Sequence, residues 1–260
     1  MNVDLHNHFG RNGKNPGFDK TIDLVSKKLG KDSVIGFTNC SSEDYRFENF
    51  VRQSGKYERV WVGDKNRILF VPEKQVYVIG TEEVITKQGH LLVAGTLAYN
   101  KIQKNDKSLS LEDALKSAED FNGIKIAVHP FGWSGTGNYI SEHPHLLYSF
   151  DGWEVYNASS ELAIPGFLPS EANQDSSFFY NSIIKENFPI GACAFTDGHS
   201  AEVIGRSYTK LDIKKLSIDS LRKGIKENTN FENLYTQSAK FDAFKHAVKM
   251  VAHKYLHTGD

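Results

Sequence analysis

The sequence predicts an α/β fold built on a parallel sheet, in one domain. Strand-like and helix-like stretches alternate along the chain, the pattern of a sheet covered by crossover helices. The 260 residues match the ~250 typical of a single α/β barrel, and no repeat, low-complexity linker or domain boundary interrupts them. Several strand-like stretches also run into polar tips. In such folds function collects at the C-terminal ends of the strands.

The elements follow in order. "NVDL" is a short strand with the first polar tip. "FDKTIDLVSKKLG" places Ile22, Leu24, Val25 and Leu29 near helical spacing and ends on Gly30 as a C-cap. "SVIGFT" is a buried strand. "SSEDYRFENFVRQSGKYERV" is polar and aromatic and predicts a helix or lid-like excursion. "NRILFVPEKQVYVIGTEE" predicts two strands around a Pro-Glu-Lys turn, and "GHLLVAG" another strand. "SLEDALKSAEDF" begins with Ser110 as N-cap and Asp113 three residues on, a capping-box variant. "IKIAVHPFG", "DGWEVYNAS" and "PIGACAFTDGHS" are further strands, with "SSFFYNSIIKEN" a helix before the last. A C-terminal helix at about 238–257 carries Phe241, Phe244, Val248, Val251 and Tyr255 on one stripe.

Composition removes several classes of function. With 31 basic and 32 acidic residues the formal net charge is -1. No global positive field draws the chain onto a nucleic-acid backbone or an anionic membrane, so stable duplex binding is not expected. No apolar run approaches the ~20 residues of a membrane span. Two cysteines, Cys40 and Cys193, argue against a disulfide framework and suit a cytoplasmic protein.

The strand tips carry the chemistry. The first is followed by His6 and His8, "VYVIG" by Glu82 and Glu83 with His90 soon after, "IKIAV" by His129, and "ACAFT" by Asp197 and His199. An i, i+2 spacing at a strand end puts both side chains on one face. His6 with His8, and Asp197 with His199, can each chelate one ion. Neutral imidazoles and carboxylates suit Zn, Mn or Fe, and a carboxylate can bridge two ions. A lone histidine at a strand end is more often a hydrogen-bonded loop residue; this many imidazoles and carboxylates at four tips is a different observation.

Taken together, "DLHNH", "GTEEVITKQGHLLVAG", "AVHPFG", "GWEVYN" and "FTDGHSAEVIGRSYT" resemble the motifs of the PHP (polymerase and histidinol phosphatase) metallohydrolases. They occur in that family's order, from Val3 to about Thr209. The resemblance implies a distorted (β/α)7 TIM-like barrel with metal-dependent phosphoester hydrolysis at its C-terminal rim. It implies one ion held by His6, His8, Glu82 and Asp197, with Glu82 bridging to a second ion held with His90 and His129. Glu82 matches the family's Gly-x-Glu because Gly80 and Thr81 precede it; Glu83 is the fallback.

Two departures bear on a third ion. The family's "TDH" is here Thr38-Asn39-Cys40, and "FGRNGKNP" offers no Asp or His. Two ions are therefore expected. Positive charge for a phosphate would then come from Arg11, with Lys14 nearby, or from Arg206, since an Arg fork binds phosphate oxygens bidentately. Asn157 is expected at the rim as a substrate contact, with Glu154 a structural partner. His199, a third-ion ligand in the family's pattern, would instead be free to give a proton to the leaving group or to bind phosphate. Phe131, Trp133 and Tyr139 are candidates to stack a base, or are packing residues. His143 and His145 read as surface residues, and His246, His253 and His257 as non-catalytic.

The expected activity is a metal-dependent phosphoesterase acting on a small phosphorylated metabolite, a nucleotide or a short oligonucleotide, with Asp197 and His199 nearest the chemistry. The alternatives are an amidohydrolase-type C–N hydrolase and a metal-binding regulatory module without catalysis.

Overall fold

The structure, a computed structural model, describes residues 1–9, 17–39, 47–63, 67–96, 109–160, 171–200 and 203–229. Arg11, Lys14, Cys40 and the helix expected at 238–257 lie outside the described residues.

Ten strands form the sheet: β1 (Asn2–Asp4), β2 (Ser33–Asn39), β3 (Val60–Val62), β4 (Ile68–Val71), β5 (Val76–Thr86), β6 (Gly89–Ala94), β7 (Ile124–Ala127), β8 (Gly152–Asn157), β9 (Gly191–Phe195) and β10 (Thr209–Lys210). The helices are α1 (Phe18–Leu29), α2 (Phe47–Arg52), α3 (Leu111–Asp120), α4 (Gly137–Glu142), α5 (Ala172–Phe179) and α6 (Ile218–Lys226). The order β1-β2-β5-β6-β7-β8-β9 makes the staves, with β10 beside β1 and the β3–β4 ribbon branching from β5. Thr209 of β10 pairs with Val3, and its hydroxyl exchanges bonds with Ala194 of β9. At the other end Asn7 bridges Gly198 in parallel, and Asp4 accepts the Thr196 N–H at 3.1 Å. These contacts bring the first and last staves together, so the sheet is a nearly closed barrel.

The expectation of parallel strands is corrected at one stave. β1–β2, β2–β5, β7–β8 and β8–β9 are parallel, but β6 is antiparallel to both neighbours. Only Lys87 and Gln88 separate β5 from β6, whereas a parallel return needs a crossover of a dozen or more residues. The start of β6, with His90, therefore lies at the same rim as the end of β5.

Side-chain clusters fill three places. Val3, Val34, Ile79, Leu92, Ile126, Cys193 and Phe195 pack together inside the barrel, joined by Leu221 and Ile225 of α6. Outside β2, β4 and β5, the aromatic residues Phe9, Phe18, Phe37, Phe47 and Phe50 pack with Ile22 and Val25 of α1. Outside β6–β9, Leu111, Ala114 and Leu115 of α3 meet Val84, Leu91, Val93 and Trp153. Ser110 caps α3: its hydroxyl accepts the Asp113 N–H at 3.1 Å and donates to the Asp113 carboxylate at 2.8 Å.

Candidate metal centre

Just past β1 the chain puts His6 and His8 on the same side, their Nε2 atoms 3.1 Å apart. Asn7 between them serves the backbone. Its N–H bonds Thr38 Oγ1 at 3.1 Å, its carbonyl accepts the Thr38 N–H at 2.8 Å, and its amide reaches the Asp4 carbonyl at 3.3 Å. Both imidazoles are thereby fixed to the β1–β2 pair.

From β5 it is the Glu83 carboxylate, rather than that of Glu82, that reaches these histidines. Glu83 Oε1 lies 2.7 Å from His90 Nδ1 and 3.1 Å from His129 Nε2, and Oε2 lies 3.2 Å from His8 Nε2. Strand alternation explains the correction. Ile79 belongs to the barrel interior, so Glu83 faces inward. Val76 and Val78 pack in the outer cluster, and the Gly80 Cα faces the Phe47 ring. Glu82, of the same parity, is buried on that outer face.

His129 and Asp197 follow β7 and β9 in left-handed backbone conformations, with φ of 31° and 52°. Such non-glycine conformations cost of order 1–3 kcal/mol and persist where the surroundings enforce them. Here Gly132 N–H and Gly137 N–H close the loop after β7 on the His129 and Pro130 carbonyls, both at 2.7 Å. Asp197 Oδ1 stands 3.4 Å from His6 Nε2 and 3.5 Å from His8 Nε2. Two groups of metal-competent donors result, each with its ligand atoms within 4.8 Å of one another: His6, His8 and Asp197, and His6, Glu83 and His129. His6 belongs to both, and Glu83 joins the second to His8 and His90.

His199 belongs to neither group. It stacks on His8 with ring centroids 4.7 Å apart, and the Asp197 carbonyl lies 3.0 Å from its Nδ1. That carbonyl can only accept, so Nδ1 carries the proton and any action on an ion or substrate falls to Nε2.

Asn157 is corrected from a rim residue to a buried one. Its amide donates to Glu154 Oε2 at 3.0 Å and to Asp197 Oδ2 at 3.4 Å, while its carbonyl oxygen accepts the Ser159 and Ser160 N–H groups. A register shift between Glu154 and Tyr156 in β8, of the kind that re-aims side chains beside sites, accompanies this inward turn. Glu154, buried beneath the cluster, accepts the His129 backbone N–H. Arg206 is half-buried in the turn between β9 and β10, its N–H bonding the Val203 carbonyl at 3.2 Å. Of the aromatic candidates, Phe131 packs on Phe179 and Trp153, and Tyr139 stacks on His143. Trp133 is 80% exposed.

The electrostatics favour ionised carboxylates among imidazoles. Burial alone would raise the Glu83 carboxyl, but His8, His129 and His6 around it hold it well below the usual range. Burial is likewise outweighed at Asp197 by His6, His199 and His8, and it too is lowered. The adjacent imidazoles divide: burial pushes His8 down to about 4. Burial also opposes a proton on His6, yet Asp197, Glu154 and Glu83 lift it well above the ordinary value. Two imidazole nitrogens 3.1 Å apart cannot both be protonated cheaply. Buried, convergent, borderline N and O donors with two anionic carboxylates fit divalent transition ions.

No family model matches this chain, and neither does any curated protein. Solved structures do. PsfC from Pseudomonas syringae superposes with a TM-score of 0.62 at 11% identity, over 98% of each chain. A two-domain Bacteroides vulgatus protein containing a predicted PHP-like metal-dependent phosphoesterase superposes at 0.51 and 16% identity, over 95% of this chain and 69% of that one. The chain carries the PHP-type barrel fold. The lesion-specific endonuclease EndoQ of Pyrococcus furiosus has a TM-score of 0.57 at 15% identity over 89% of this chain. This chain spans only 57% of that endonuclease's length. An Endonuclease Q complex holds a 27-mer duplex substrate with an abasic lesion at the active site, which leans against the expectation of no stable duplex binding. Among the described residues no helix is long and apolar enough to cross a membrane.

Proposed function

We propose that the chain is a metal-dependent phosphoesterase whose centre holds two divalent ions. One observation carries this reading: Glu83 presents one oxygen to His90 and His129 and the other to His8. That is the arrangement of a carboxylate shared between two ions. His6, His8 and Asp197 would hold one ion, and Glu83, His90 and His129 the other. Mn, Zn and Fe all suit the donors. Two such ions would make water nucleophilic at neutral pH and offset charge on the phosphoryl oxygens.

The chain's own residues do the rest. Glu154 and Asn157 hold His6, His129 and Asp197 from beneath. The Asp197 carbonyl fixes the neutral His199 tautomer with its proton on Nδ1, so Nε2 carries the lone pair and would give a proton to a leaving group only from the imidazolium form. Arg206 and Arg11 are the side chains proposed to bind phosphate. The substrate class comprises phosphorylated metabolites, nucleotides and short oligonucleotides; the similarity to Endonuclease Q supports including phosphodiesters. The whole chain is proposed as one domain, acting in the cytoplasm.

The test is elemental analysis of protein purified without chelator, followed by hydrolysis of p-nitrophenyl and bis-p-nitrophenyl phosphate with added manganese. About two ions per chain, and turnover lost in Glu83→Gln, are expected. Metal-dependent hydrolysis of amides with none of phosphoesters would favour a C–N hydrolase. Bound metal without any turnover would favour a regulatory module.

A further inference from the structure

We infer that Trp133 is a ring-stacking platform beside the metal centre, and that the phosphoester taken there carries a nucleobase. This rests on the phosphoesterase reading and narrows its substrate class.

Phe131 and Tyr139 are committed elsewhere, one to the outer core and one to His143 and Glu112. Trp133 instead leaves 80% of its surface in water. Its neighbours Gly132, Ser134 and Gly135 are small.

The turn under it is closed by backbone hydrogen bonds and tied to two histidines of the centre. Gly132 N–H bonds the His129 carbonyl at 2.7 Å, Gly135 N–H bonds the Gly132 carbonyl at 3.0 Å, and the Ser134 carbonyl accepts the His90 N–H at 2.8 Å. Gly89 and Gly135 pack so closely that a Cβ on Gly89 would lie 2.6 Å from the Gly135 carbonyl carbon. Trp133 therefore stands one residue from the Ser134 carbonyl that accepts the His90 N–H. A platform fixed in advance loses little freedom when a ligand docks.

The same rim has a second exposed apolar side chain. Ile85 shares the inward face of β5 with Glu83, stands opposite His90 in the β5–β6 ladder, and is 40% exposed. An apolar edge bearing an indole, next to a cluster suited to phosphate-binding ions, matches a flat base joined to a phosphate. Stacking is tolerant of base identity because every base has a π-face.

The experiment uses the full chain with Trp61→Phe, which leaves Trp133 and the buried Trp153 as fluorophores. Adenosine 5′-monophosphate, a short oligothymidylate and ribose 5-phosphate are titrated in turn. The first two should quench the exposed indole emission, and ribose 5-phosphate should not. In a competition format, Trp133→Ala should lower the preference for adenosine monophosphate over ribose 5-phosphate by about tenfold. Trp133→Phe should restore most of that preference, and Phe178→Ala, at another exposed aromatic, should leave it as in the wild type. Equal binding of the two phosphates, or a preference that survives Trp133→Ala, would overturn the inference. Phosphoester turnover without ring preference would sink this inference alone, whereas no turnover on any phosphoester would sink the reading beneath it.

Discussion

Glu154 reaches both sides of the centre: Oε2 accepts the His129 backbone N–H, and Oε1 lies 3.6 Å from His6 Nδ1. One buried carboxylate thus orients a histidine from each of the two donor groups. Residues that hold a ligand from behind are typically worth about 10- to 100-fold in metal affinity. Glu154→Gln should weaken zinc binding by that order in competition with a chromophoric chelator while the chain stays folded. Wild-type affinity would restrict Glu154 to a role in the fold.

The two adjacent glutamates separate cleanly by experiment. Glu83→Gln should strip metal from the purified protein, because Glu83 contacts His8, His90 and His129. Glu82→Gln should retain the wild-type metal content, since Glu82 lies on the other face of β5. Elemental analysis of both variants decides it, and metal loss in Glu82→Gln alone would reverse the assignment.

Without metal, the buried imidazoles should make stability depend on pH on both sides of 6.5, their ordinary value. Despite burial, His6 and His129 are lifted above that value by neighbouring carboxylates. The folded chain keeps protons there that the unfolded chain has lost, and this stabilisation disappears as pH rises through the folded values. His8 works in the opposite sense. Its folded value is about 4, so below 6.5 the unfolded chain takes up a proton that the folded chain refuses, and stability falls. Melting temperatures of chelator-treated protein should trace both limbs. His6→Asn should flatten the alkaline limb and His8→Asn the acidic one.

Gly36 sits where β2 passes β1, and a Cβ there would overlap the Leu5 backbone. Overpacking of this kind costs about 1–3 kcal/mol. Gly36→Ala should lower the urea midpoint accordingly. Because β1 leads directly into His6 and His8, it should also weaken zinc binding, whereas an equally destabilising change far from β1 should not.

Cys193 is fully buried, and burial pushes its thiol far above the usual range. The thiolate is the reactive form. Native protein treated with iodoacetamide should leave the Cys193 peptide unmodified, and urea-unfolded protein should not, by mass spectrometry of the digest.

Much of this was legible in the sequence. The histidines could be grouped because strand tips in α/β folds share a rim, and the rim was recoverable from hydrophobic runs and spacing. The choice between Glu82 and Glu83 was not. β5 is buried on both faces, so its apolar residues do not alternate, and parity is set by Phe47 packing on Gly80 from a distant helix. The reversed β6 had a signal in the two-residue connection after Thr86. A polar residue at a strand end predicts a rim position for Asn157; the β8 register shift that turns it under Asp197 has no mark in the sequence.

The seam of the barrel also sets a clock. The Thr196 to Asp4 bond spans 192 residues, and His6 and His8 meet Asp197 across the same gap. At roughly 5–20 residues per second of synthesis, the first histidines wait on the order of ten to forty seconds for their carboxylate partner. The cradle for one ion is thus incomplete until Asp197 has been made, and loading of that ion waits on it. Contacts this distant in sequence also slow folding, so an ion that clasps both ends would act as the final latch of assembly as well as the reagent.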